Sequence, residues 1–228
     1  MRPQTGTTGR PLTRRRSDVG ALLGGLAVLV ICSIPASSGR VGSLEQEVFE
    51  AVNGLTDALE PPAHAAQFLG VLAIGPVIAL IAFIARRPRL AVAALLATAA
   101  KLLAERVLWE FVQRERPAVT EPAAIIRAGS ATTGLSFVSG HVVLVTALAW
   151  VTTPYLPRRW RILPWIVVAL VAFARIYLGA HNPLDVIGGL GMGVAIGGAI
   201  NLALRVPSTS GSIGIDRPLA ELDRRPHQ

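Results

Sequence analysis

Three short stretches of this 228-residue chain hold residue types that together suit reactions at phosphorus: Arg116-Pro117, Ser139-Gly140-His141, and Arg175 followed by His181 and Asp185. Two arginines can clamp the oxygens of a phosphoryl group bidentately. Two histidines can divide the remaining work, one as nucleophile and the other as general acid. His181 and Asp185 are four residues apart, so one helical turn brings the carboxylate to the ring and fixes its tautomer. Asn182-Pro183-Leu184-Asp185 reads as a helix start, with Asn at the N-cap, Pro in the first turn and Asp favouring the dipole. Ser139 can cap a second helix through its hydroxyl. Helix starts at 139–141 and 182–185 would present free N–H groups to an anion. None of the ligand spacings for zinc or calcium occurs, so neither metal nor cofactor is implied. Each piece alone has a structural reading; their value lies in falling at one face.

That convergence depends on the elements that carry these residues. Hydrophobic residues make up 52% of the chain and charged ones 16%, against roughly 25% charged in soluble domains. The single cysteine, Cys32, excludes a disulfide scaffold. The net charge of +8 comes without a basic patch interleaved with aromatics, which argues against nucleic acid as a partner. Apolar runs occupy about 19–34, 64–85, 90–112, 140–156, 162–178 and 184–204, all near the ~20 residues that a spanning helix needs. The expected fold is therefore all-α: an integral membrane bundle of six transmembrane helices. Between the first two runs, Leu44, Val48, Ala51, Val52, Leu55 and Leu59 recur at helical spacing and predict a short interfacial helix, ended by Pro61-Pro62. Residues 1–18 read as an Arg-rich cytoplasmic tail, 19–205 as the membrane domain and 206–228 as a disordered cytoplasmic tail. A cleavable signal peptide is the competing reading of the first run.

Arginines set the orientation. Arg14 to Arg16, then Arg86, Arg87 and Arg89, then Arg158, Arg159 and Arg161 flank alternate loops. The positive-inside rule puts these loops and both termini in the cytoplasm of a cell-membrane protein. The site residues then fall on the extracytoplasmic face. The loop at 113–139 breaks the pattern with Arg114, Arg116 and Arg127, so those arginines need an explanation other than topology.

In this order the blocks resemble the type 2 phosphatidic acid phosphatase family, relatives of the vanadium haloperoxidases. The family pattern is Lys-x6-Arg-Pro, Pro-Ser-Gly-His and Ser-Arg-x5-His-x3-Asp. Here the blocks read Trp109-x6-Arg116-Pro117, Val138-Ser139-Gly140-His141 and Ala174-Arg175-x5-His181-x3-Asp185. The resemblance covers about 64–204. It implies that His181 attacks phosphorus, Asp185 holds its ring, and His141 protonates the leaving oxygen and then activates water. It further implies that Arg116, Arg175 and the N–H groups around Ser139 and Gly140 bind the phosphate oxygens. The implied partners are the bilayer and a lipid phosphate or diphosphate, with a polyprenyl diphosphate such as undecaprenyl diphosphate foremost. Phosphatidic acid and phosphatidylglycerol phosphate follow, and a non-catalytic phospholipid-binding member is the alternative of another class.

Val138, Ala174 and Trp109 depart from the pattern. Trp109 matters most, because it stands where the family has a phosphate-binding Lys; Arg106 and Arg114 are candidates to replace that charge. Lys101, the only lysine, lies inside an apolar run with Glu105 one turn on, and the favoured reading is an ion pair. Gly189, Gly193 and Gly197 form a stripe suited to helix packing within the bundle. His64 and His227 receive no role.

Overall fold

The computed structural model describes residues 12–207; the tail segments 1–11 and 208–228 lie outside them, and His227 with them. Nine α-helices occur among the described residues: α1 Arg16–Ala36, α2 Ser43–Asn53, α3 Glu60–Phe68, α4 Ile74–Ile84, α5 Pro88–Trp109, α6 Pro117–Thr120, α7 Gly140–Thr152, α8 Leu163–Tyr177 and α9 Pro183–Leu204. Two-residue strands, β1 Leu12–Thr13 and β2 Val206–Pro207, pair antiparallel. Three segments are long and apolar enough to cross a membrane: Arg16–Ala36, Arg158–Tyr177 (α8 with the turn before it) and Pro183–Leu204.

Of the other apolar runs, 90–112 forms the uninterrupted 22-residue α5, 140–156 gives the 13-residue α7, and one is broken. The run at 64–85 breaks at 69–73 into α3 and α4. At 1.5 Å per residue, α4 is only about 16 Å long. Hydropathy reports composition, and it passed over Gly70 within the break and Pro76 in the first turn of α4. Pro61-Pro62 does not end a helix. It sits in the first turn of α3, where proline's missing N–H costs nothing. The helix expected at the interface, α2, stops earlier, at Asn53. Its buried face is Glu45, Phe49 and Asn53, while Leu44 and Val48, and Leu55 in the turn beyond it, face outward.

The centre of the bundle is α9, pressed between α1 and α7. Gly191 and Gly198 bring α9 against the backbone of α1, where a Cβ would lie 2.8 Å from Gly25 O and 2.7 Å from Asp18 O. The stripe Gly189, Gly193, Gly197 faces α7 instead: a Cβ at Gly193 would meet Thr146 Cβ at 2.6 Å and one at Gly197 would meet Trp150 Cβ at 2.5 Å. The stripe therefore packs inside the bundle, as its spacing suggested.

One end of the bundle is tied by Asp18, whose buried carboxylate accepts from Arg15, from Trp150 Nε1 at 2.9 Å and from Asn201 Nδ2 at 3.1 Å. Arg87 donates to Tyr155 O at 2.9 Å, joining the turn before α5 to the turn after α7. The clusters Arg86–Arg89 and Arg158–Arg161 thus lie near one another, away from the ends of α5 and α8 and the starts of α7 and α9.

The α7–α9 contact gives a direct test. Gly193→Ala forces a methyl into Thr146 and Val143 O, and should cost about 1–3 kcal/mol. Gly24→Ala meets nothing within 4 Å and should be neutral or gain up to about 1 kcal/mol in helix propensity. Thermal unfolding of the two variants in detergent, relative to the unsubstituted protein, measures the difference.

Candidate active site

At the opposite end, four helix termini enclose a cavity of about 540 Å³. Its lining includes Arg116, Gly140, His141, Arg175 and His181, so five of the seven site residues named from sequence meet there. Asp185 and Ser139 lie just behind the wall, both fully buried.

His181 occupies the short turn between α8 and α9. Its backbone N–H donates to Arg175 O at 3.1 Å, which ties the ring to the end of α8. Ser136 lies beside its Nδ1 at 3.4 Å, and Asp185 Oδ2 is 3.6 Å from the same atom. The Ser136 hydroxyl gives its only hydrogen to Asp185 Oδ2. Toward the histidine it can only accept, so the ring proton belongs on Nδ1 and Nε2 keeps its lone pair. An Arg116 N–H points at Nε2 from 3.4 Å, which fits the same tautomer. Burial pulls the His181 pKa down to about 4, with Asp185 opposing the shift and the charges of Arg175 and Arg116 adding to it. The ring is neutral at pH 7.

Asp185 is held from every side. Its Oδ2 accepts from Ser136 and from the Asn182 N–H at 2.9 Å, and its Oδ1 from Arg114 at 3.2 Å. Asn182 and Pro183 do begin α9 as the sequence suggested. Arg114 forks in turn onto Glu45, at 2.9 and 2.6 Å, and Glu45 also accepts the Leu184 N–H at 2.9 Å. Burial lowers the Arg114 pKa, but the hydrogen bonds and charges of Glu45 and Asp185 outweigh it and leave a net rise. Arg114 is therefore committed to two carboxylates and cannot replace a missing phosphate ligand.

The remaining arginines of the 113–139 loop are also accounted for. Arg116 donates to Thr133 O at 3.0 Å and Ala180 O at 2.9 Å, and burial lowers its pKa against the pull of Asp185 and Glu105. Arg127 donates to the carbonyls of Asn53, Tyr177 and Leu55 and stacks on the Tyr177 ring at 3.8 Å. These loop arginines are structural or line the cavity, which explains their breach of the topological pattern.

His141, in the first turn of α7, packs against the α3–α4 break. A Cβ at Gly70 would lie 2.8 Å from His141 Cβ. Ser139 sits at the N-cap of α7, but its hydroxyl makes no cap bond and has no partner. Its N–H donates to Asp185 O at 2.9 Å, joining the starts of α7 and α9.

Several lining residues escaped the sequence reading. Gln67 accepts from Arg175 at 2.7 Å through Oε1 and meets His64 Nδ1 at 2.9 Å through its amide nitrogen. His64, given no role from sequence, lines the cavity, as do Lys101, Glu105 and Trp109. The expected Lys101–Glu105 pair is present at 2.7 Å. Arg106 is exposed and does not line the cavity. Ser136, three residues before Ser139, carried no signal beyond its proximity to a motif, and Arg114 stood out only as a breach of the arginine pattern and a spare cation, not as a partner of carboxylates.

The model of the PAP2 superfamily matches residues 90–206, just over half of the chain. The chain belongs to the PAP2 superfamily. Its matched region runs from α5 to β2 and contains all seven of the sequence-named site residues. The lipid A 4'-phosphatase of Porphyromonas gingivalis is 39% identical over 64 residues, which are 27% of this chain and 26% of that protein. This PAP2 member thus aligns with about a quarter of that relative's length. Two solved structures share the fold at a TM-score of 0.63 each. LpxE of Aquifex aeolicus is 23% identical, over 72% of this chain and 98% of its own. The PAP2-type phosphatidylglycerolphosphate phosphatase of Bacillus subtilis is 21% identical, over 78% of this chain and 94% of its own.

Arg114→Met would leave Glu45 and Asp185 buried without their shared cation, which should cost about 3–5 kcal/mol. Arg114→Lys should recover only part, since an ammonium cannot fork onto one carboxylate while reaching the other. Unfolding temperatures of the detergent-solubilised variants test both statements.

Proposed function

We propose that this PAP2 phosphatase hydrolyses a lipid phosphate through a phosphohistidine on His181, at the extracytoplasmic face of the cell membrane. The observation that carries the reading is one cavity lined by two histidines and two arginines, with an unprotonated Nε2 facing it beside an arginine N–H.

In this reading, Arg116, Arg175 and the N–H groups at the start of α7 hold the phosphoryl oxygens. His181 Nε2 attacks phosphorus and forms the P–N bond as the P–O bond to the lipid breaks. His141 delivers a proton to that departing oxygen. It then takes a proton from water, whose oxygen attacks phosphorus and releases inorganic phosphate and His181. Asp185 and Ser136 keep the Nδ1–H side of His181 fixed through both steps. The positive charge gained by the attacking ring is offset by the carboxylate beside it.

The lipid character of the substrate is supported by helices long enough to cross a bilayer and by the printed activities of the lipid A and phosphatidylglycerolphosphate phosphatases. Both relatives are phosphatases of lipid phosphates by name, so monoesters move ahead of the polyprenyl diphosphate that the family resemblance put first. Six spans with α2 at the interface remain the proposed topology: the outward Leu44, Val48 and Leu55 suit a bilayer surface. The arginine clusters lie at the end away from the cavity, which supports a cytoplasmic position for them.

Phosphate release from phosphatidylglycerol phosphate, lipid A, phosphatidic acid and undecaprenyl diphosphate tests the reading. His181→Ala should abolish release from any substrate accepted, and His141→Ala should reduce it by roughly 10²–10⁴-fold. Because attack needs the neutral ring, kcat/KM should hold as pH falls below the ordinary histidine range and drop only toward about 4. Undiminished release by His181→Ala contradicts the mechanism.

A further inference from the structure

Resting on the phosphatase reading, one cation in the cavity is still unassigned. Lys101 sits on α5 with its side chain only 15% exposed, and that exposure is to the cavity it lines. Its Cε would lie 2.9 Å from a Cβ at Gly140, with the Glu105 carboxylate oxygen closer still, so the chain's sole lysine and its partner both lie against the first residue of α7. The Lys101–Glu105 pair therefore sits together at the positive end of α7, a place that suits the carboxylate or an incoming anion.

The other cavity cations are anchored to neutral groups. Arg116 rests on two backbone carbonyls and Arg175 on the Gln67 amide oxygen. Lys101 has a carboxylate, Glu105, at 2.7 Å. With Glu105 ionised, Lys101, Arg116 and Arg175 leave the lining with two positive charges in excess, the histidines not counted. A phosphomonoester carries about two negative charges near neutral pH. An ammonium on a flexible stem can leave one oxyanion for another without disturbing the helix that holds it.

We infer that Lys101 is a substrate-contacting residue, the third cationic ligand of the phosphomonoester, and that Glu105 is its partner only while the cavity is empty. Phosphate entering beside Gly140 takes the ammonium from Glu105. Trp109, two turns along the same helix, lines the cavity without charge, so this chain carries its α5 cation at 101.

Affinity for inorganic phosphate, measured by calorimetry on the full-length protein in detergent, tests the assignment separately from turnover. Lys101→Met should weaken binding at least tenfold. Lys101→Met combined with Trp109→Lys should recover most of it, because a cation returns to the cavity from another position. Glu105→Gln should tighten binding by removing the competing carboxylate. A purely structural pair would lower the unfolding temperature in Lys101→Met and leave phosphate affinity unchanged, with no rescue by Trp109→Lys; that result overturns the inference. If Lys101→Met does not fold, Glu105→Gln decides alone, and unchanged or weaker binding overturns it. No phosphate binding by the unsubstituted protein overturns it too. Phosphate binding that depends on Lys101, without hydrolysis of any lipid phosphate, would leave the lysine's role standing and remove the proposed reaction.

Discussion

Everything around the cavity of this protein depends on one buried carboxylate. Asp185 has no exposed surface, and a charge in that position is tolerable only because it is fully partnered. Its three partners come from two parts of the chain: Arg114 and Ser136 from the long loop, and the Asn182 N–H from the start of its own helix. Satisfying Asp185 therefore folds the loop down, closes the turn that carries His181 and selects that histidine's tautomer. Arg114 brings its own requirement, met by Glu45 on α2. A helix at the edge of the bundle is thereby fixed to the start of α9 by a chain of alternating charges.

The glycine-lined faces of α9 serve the same end. Close approach of α7 and α9 lets the Ser139 N–H reach Asp185 O, so the two helix starts open side by side. Backbone N–H groups and the His141 ring then face the same space as Arg175 and His181. Larger residues at 189 or 193 would part the helices and separate the two histidines without touching either.

The seven site residues named from sequence were legible because their spacing is local: a turn links His181 to Asp185, and Ser139-Gly140-His141 is contiguous. The long α1, α8 and α9 were legible because each is a continuous apolar run with clear boundaries. What stayed hidden is non-local or concerns backbone. Glu45 and Arg114 are 69 residues apart, and nothing in helical periodicity says that a glutamate on an amphipathic segment faces inward. Gln67 and His64 fall inside a run that hydropathy reads as one span, whereas the break after Phe68 turns them into the cavity. The Lys101–Glu105 pair was visible as an i, i+4 spacing, but not the wall it belongs to. Reading Pro61-Pro62 as a stop ignored that proline is as much at home in a first turn as beyond a last one.

The claim on which the chemistry turns is that Nε2 of His181 carries the phosphoryl group between two half-reactions. Phosphohistidine survives alkali and is lost in acid, so an alkaline quench followed by peptide mass spectrometry can locate it. His141→Ala slows the water step and favours accumulation of the adduct when the protein is mixed with a phosphate ester it accepts. The account predicts a single added phosphoryl group on the peptide containing His181, absent from the His141→Ala/His181→Ala protein. Turnover of that ester with no adduct at His181, or with the phosphoryl group on another residue, would contradict it.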